Sequence, residues 1–189
     1  MSLIQTIPPA VEPVTLADVK AHLRVSHGDD DAFISNLITA ARRQIEQRIG
    51  LCLILQGWSV YFDRWPINDS LRIPLDPVLA IADIKIYGDD DIAAILDPAH
   101  YFIDRAAWPA RIVLRHGRST PQPGRVANGI EINLTAGYGA TAAAVPQDLK
   151  QAILLTVAAW FGNRGDEQGG SLPLMAIALI APYRNVRLA

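Results

Sequence analysis

Two acidic runs are the first places in this sequence where chemistry could concentrate. Asp29-Asp30-Asp31 and Asp89-Asp90-Asp91 each set three carboxylates side by side, and clustered carboxylates attract hard divalent cations. Neither matches a calcium loop, because the alternating ligands, the turn glycine and the closing Glu are missing. The first run reads more simply as the opening of a helix, the second as a solvated hairpin turn. Gly137-Tyr138-Gly139 lies between a strand-like and a helix-like run, where a phosphate-binding loop would sit. No Lys-Ser/Thr pair follows, the third glycine is absent, and the helical pattern resumes only at Pro146, so a tight turn is the better account. His22, His27, His100 and His116 are scattered over different segments, with no pair four residues apart and no HExxH or GxSxG motif. Cys52 is the single cysteine and sits between Leu51 and Leu53. It is expected to be a buried, inert thiol, and one cysteine allows neither an intrachain disulfide nor a multi-thiolate metal site. No catalytic residue, metal site or cofactor is expected. The remaining suspect is the loop holding Arg115, Arg118 and Arg125 with His116, Pro121 and Pro123. It reads either as a solvated loop or as an arm that touches a partner protein or passing DNA.

The elements that would position these residues change character along the chain. Thr15 can cap a short helix to Leu23, with Asp18 in its first turn. A longer helix then carries Ile34, Leu37, Ile38, Ala41, Ile45 and Ile49 at spacings of three and four, with Arg42, Arg43, Glu46 and Gln47 on much of the opposite side. Gly50 is a left-handed stop. From Leu53 the period becomes two. Trp58, Val60 and Phe62 alternate with polar residues, as do Ala82, Ile84 and Ile86, and Ile130, Ile132 and Leu134. Tyr101–Asp104 and Arg111–Arg115 are shorter strand candidates, and prolines punctuate the loops between. A third helix follows Pro146 and is apolar nearly all round to Phe161, so it must be covered on more than one side. A neighbouring subunit is a natural second cover. After the Gly-rich stretch 163–171, expected to be mobile, Pro173 starts a short apolar helix, Leu174–Ile180. The fold class expected is α+β: a helical bundle from both chain ends (12–50 and 145–189) around a small antiparallel β-rich insertion (51–140), in a single domain over 1–189.

Composition sets outer limits. Half of the 189 residues are apolar and 19% are charged, a charge content below that of an ordinary globular chain. A subunit with much of its surface in contacts has this profile, and so does a compact monomer rich in Ala. The net charge of −2 lacks the basic excess that phosphate-gripping proteins carry. The start, MSLIQTIPPAVEP, has no basic n-region or long apolar run, so no secretory signal is expected. Ala152–Phe161 and Leu172–Pro182 are too short to span a bilayer, and no membrane association is expected.

Taken in order, several segments resemble the head–tail connector family of tailed phages. They are Val14-Thr15-Leu16-Ala17-Asp18-Val19-Lys20-Ala21-His22-Leu23-Arg24-Val25, Asp29-Asp30-Asp31 and Arg48-Ile49-Gly50, followed by Ala136-Gly137-Tyr138-Gly139, Pro146 and Leu149-Lys150-Gln151-Ala152-Ile153-Leu154. The close is similar too, with Trp160-Phe161-Gly162-Asn163-Arg164-Gly165, Leu172-Pro173 and Ala181-Pro182-Tyr183-Arg184. The chain looks like the longer branch, with the β-rich insertion. The resemblance implies a structural adaptor in a ring below the portal, twelve-fold in the particle, that extends the DNA channel and docks the stopper or tail. It implies no catalytic residues and no cofactor. DNA would pass through the lumen without sequence-specific binding. Localisation would be the virion, assembled in the host cytoplasm. A ring needs two different patches per subunit, and Arg42, Arg43, Leu155, Trp160, Leu174 and Ile177 are the candidates for them. The competing readings are a metal-dependent enzyme using one Asp run, a small-ligand module on the β insertion, and another morphogenesis role such as a tail terminator.

Overall fold

The computed structural model describes residues 1–66, 70–163 and 171–184. Most of the Gly-rich stretch 163–171 lies outside the described residues. The chain divides into two compact units. One takes Ala10–Ile54 and the chain from Gly139 onward, the other Met1–Pro9 and Leu55–Tyr138. The architecture is α+β, with four α-helices and two antiparallel sheets among the described residues.

The first unit is helical. α1 (Leu16–Leu23) opens on a capping box: the Thr15 hydroxyl accepts from the Asp18 N–H at 3.1 Å, and the Asp18 carboxylate accepts from the Thr15 N–H at 2.9 Å. The hydrogen bond from the Thr15 side chain, and then that from its backbone, hold the Asp18 carboxyl below its ordinary range. α2 (Asp31–Ile49) begins after Asp30, which makes no side-chain bond into the first turn. The acidic run therefore caps α2 differently from expectation, and Asp31 instead pairs with Lys20 at 2.6 Å. Gly50 ends α2 at φ 71°, its N–H donating to the Glu46 carbonyl at 2.9 Å. Ile34, Ile38, Ala41, Ile45 and Ile49 are buried, as their spacing requires.

α3 (Gln147–Gly162) is the centre of this unit and packs against α1, α2 and α4 (Leu174–Ile180). Leu149, Ala152, Ile153, Thr156 and Val157 are buried, and every other residue from Lys150 to Phe161 is at least half-buried. The cover on more than one side that the pattern requires comes largely from within the unit, where a neighbouring subunit had been the natural second cover. Three helices of the same unit surround it, which an all-round apolar pattern permits as readily as a partner does.

The second unit holds the sheets. The five-stranded sheet has the order β1-β2-β8-β4-β5, with β1 Ser2–Ile7, β2 Gln56–Phe62, β4 Val78–Tyr87, β5 Ala93–Ile95 and β8 Ile130–Ala136. The three-stranded sheet has the order β3-β7-β6, with β3 Ser70–Arg72, β6 Tyr101–Asp104 and β7 Arg111–Leu114. All pairs are antiparallel. β8 is central, and its Ile130, Ile132 and Leu134 join Val60 and Ile84 in the core. β1 was not foreseen. Its residues sit at the sheet margin and all are exposed, so no buried alternation marks them.

Candidate functional site

The residues that could carry chemistry are drawn into structural work. In the β4–β5 turn, Gly88 N–H donates to the Ile92 carbonyl at 3.0 Å, and the Asp90 carboxylate accepts from the Ile92 N–H at 3.0 Å. Asp91 takes a left-handed φ of 64° and pairs with Arg125. Among the described residues no three His, Cys, Asp or Glu side chains group so as to hold a metal ion. Gly137 leaves β8 at φ 138° with its N–H on the Pro77 carbonyl at 2.9 Å, the tight turn expected. Cys52 is buried.

The arginine loop does not act as one arm. Arg125 is folded back, with its guanidinium carbon 3.8 Å from the Tyr87 ring centroid and its Nε on Asp91. This stacking with charge pairing engages its guanidinium within its own unit. Arg115 stands 6.0 Å from the Phe102 ring centroid, and Arg118 is exposed. The three-stranded sheet adds to them. Its register sets Arg72 opposite Arg111, and both are exposed, as is Phe102 on β6. Asp104 accepts from Arg111 Nε at 2.8 Å and offsets part of this positive face.

The second face of the five-stranded sheet holds a polar network where the sequence alternation promised a solvated surface. Asn133 on β8 donates to Asp83 at 2.8 Å and to Glu131 at 2.9 Å, and accepts from Ser59 at 2.5 Å. Glu131 also accepts from Lys85 at 3.0 Å and Tyr87 at 2.5 Å. Burial pushes the Glu131 carboxyl up, but the bonds from Tyr87, Lys85 and Asn133 together hold it below its ordinary range. The same Glu131 bonds raise Lys85 and Tyr87. These cross-strand pairs lock the register of β2, β8 and β4.

The predicted interface residues separate into two kinds. Arg42 is only 5% exposed. Its Nε donates to Glu12 and its Nη1 to Glu46, both at 2.7 Å. Arg42 lies four residues after Ile38 and three before Ile45, at the spacing of the buried stripe itself. It serves the interior of its own unit and leaves the interface set. Arg43 is exposed, while Leu155, Trp160 and Ile177 are half-buried. Trp160 Nε1 donates to the Ser171 carbonyl at 3.3 Å. Leu174 stands 85% exposed on α4 beside Met175 at 66%. Besides Val11, Leu79 and Val126, other open aliphatic side chains include Leu3, Ile4 and Ile7 on β1 and Ile92 and Ile95 at β5. Sequence reasoning passed over these edges, although the run Ser2–Ile7, free of charge, Gly and Pro, carried the signal.

Residues 13–93 match the model of the phage gp6-like head-tail connector proteins. No curated protein matches the chain. Among solved structures, the chain is similar to one in the neck of an empty GTA particle with C6 symmetry, at 26% identity and TM-score 0.84. It is likewise similar to a chain in the virion of a native gene transfer agent (GTA) particle, at 25% identity and TM-score 0.84. A third is in the neck of a native GTA particle with C12 symmetry, at 28% identity and TM-score 0.79. Each likeness covers 100% of this chain and 98% of the other. The matched segment resembles the phage gp6-like head-tail connector proteins, and the fold is shared from end to end with neck chains, which together support a structural connector role.

Proposed function

We propose that this chain is a ring-forming adaptor subunit in the neck of a tailed-phage or phage-like particle. Copies of it sit below the portal, extend the DNA channel and dock the stopper or tail, with no catalytic step of their own. The observation that carries this reading is the end-to-end likeness to neck chains in particles with C6 and C12 symmetry. The site geometry supports it, because the polar side chains described serve turns, caps and sheet register, while α4 and the sheet margins each carry exposed aliphatic residues. The interface set becomes Arg43, Leu155, Trp160, Leu174 and Ile177, with Leu174 the most open of its apolar members. Arg115 and Arg118, extended by Arg72 and Arg111, form the face offered to a partner protein or to DNA in transit. The net charge of −2 keeps the channel from holding the DNA that must slide past.

Native mass and electron microscopy of the purified protein test the reading. A closed ring is expected, alone or on a portal assembly. Leu174→Asp should keep the helical circular dichroism, because the side chain is already in solvent, and should reduce the ring fraction at least tenfold. A wild-type protein that stays monomeric at every concentration and does not bind a portal overturns it.

A further inference from the structure

Neither margin of the five-stranded sheet carries a charge or a proline, two of the devices that normally stop edge strands from pairing. β1 has no charged residue and no proline, and its register shift falls between Gln5 and Ile7, leaving Ser2–Gln5 regular. Ile92–Leu96 is equally free of charge and proline, and β5 is exposed along its length. Ile4 is 54% exposed, Ile92 69% and Ile95 68%.

The backbone of β5 faces outward in a definite pattern. Ile92 accepts from Gly88 N–H, and Leu96 N–H donates to Ile84. Residues 92, 94 and 96 therefore turn their backbone groups toward β4, and Ala93 and Ile95 turn theirs away from the sheet. The register also relates the two margins. Ser2 is opposite Tyr61, Tyr61 opposite Glu131, Glu131 opposite Lys85 and Lys85 opposite Ile95. Ser2 and Ile95 thus stand on one row. Because the strands between them alternate in direction and the sheet has five, β1 and β5 run the same way.

We propose that β5 of one copy pairs in parallel with β1 of the next, so that the sheets of successive subunits continue around the ring. The inference rests on the ring reading above. A head-to-tail ring requires two dissimilar patches that meet under one rotation. Two open margins of one sheet, level with each other and alike in direction, meet that requirement, whereas a single strand from a different protein would leave one margin open. β5 has three residues, so the pairing sets the register between neighbours while α4 and other surfaces share the association.

A short bismaleimide applied to Leu3→Cys/Ile95→Cys in a Cys52→Ala background tests it. The expected result is a ladder of covalent oligomers up to ring size, with no product from either single-cysteine variant. Ile4→Lys and Ile95→Lys, both at exposed positions, should leave the circular dichroism unchanged and lower the ring fraction at least tenfold. Rings of wild-type mass that give no ladder overturn the strand pairing and leave the ring reading standing. Dimers from Leu3→Cys alone also overturn it, because they show β1 meeting its own copy. A wild-type chain that forms no ring, alone or on a portal, overturns both.

Discussion

Replacing Arg42 with Ala should destabilise the helical unit by about 3 kcal/mol, whatever the state of assembly, since removing one partner of a buried ion pair strands the other charge. The side chains of Arg42, Glu12 and Glu46 are 6%, 28% and 12% exposed. Burial opposes the guanidinium charge, but the bonds to Glu12 and Glu46 outweigh it and hold Arg42 more firmly protonated than usual. Thr39 donates to Glu12 at 3.0 Å and the Leu53 N–H to Glu46 at 2.8 Å, so the cluster ties residue 12, α2 and residue 53 together. Losing one member of such a cluster costs about 3–5 kcal/mol, and the low end applies because Glu12 can regain water. Urea unfolding followed by circular dichroism, below ring-forming concentrations, reads this directly. With a slope of about 2 kcal/mol per molar urea, the midpoint should fall by about 1.5 M. Arg42→Lys keeps the charge but not the planar fork, and should lose about half as much. A double-mutant cycle with Glu46→Gln should return a coupling of about 1–3 kcal/mol. A loss below about 1 kcal/mol refutes the buried-pair reasoning, being the size of an exposed pair. An unchanged midpoint with lost rings would return Arg42 to the subunit interface.

Two further outcomes follow from the β unit. Asp76 is buried, and that burial raises its carboxyl to about 6 against a weaker downward pull from the Ala110 N–H. A carboxyl raised in the folded state contributes stability at low pH that fades as pH climbs from about 4 through about 6. Relative to Asp76→Asn, wild-type stability should therefore fall over that window by up to about 3 kcal/mol, because each tenfold change in proton affinity is worth about 1.4 kcal/mol. Parallel unfolding curves across that range would overturn this. At Gly124 an added Cβ would lie 2.1 Å from the Asp89 nitrogen and 2.6 Å from the Gly88 carbonyl carbon, both backbone atoms. Gly124→Ala should cost about 1–3 kcal/mol by overpacking and speed amide exchange at Ile92. Gly162→Ala, which meets nothing within 4 Å among the described residues, is the control and should cost nothing, with a gain of up to about 1 kcal/mol.

What was legible without the structure were the features governed by neighbours in the chain. Thr15 with Asp18, the stripe from Ile34 to Ile49 and the stop at Gly50 depend on contacts three or four residues apart, and all three formed as spacing required. The alternation in β2, β4 and β8 likewise placed Val60, Ile84, Ile130 and Ile132 in the core. The family resemblance was readable from ordered short segments and agrees with the matched model. Tertiary structure decided everything that depends on distant partners. Arg42 looked like a solvent-face residue until Glu12, thirty positions away, drew it inside. Arg125 lay in a loop read as solvated or as a contact arm, and the structure shows it held by Tyr87 and Asp91. α3 looked short of cover because its pattern states how much apolar surface needs hiding but not whether α1, α2 and α4 or another copy hides it. The sheet margins emerged last, since an edge is defined by the strand that is absent beside it, and only the complete pairing order reveals one.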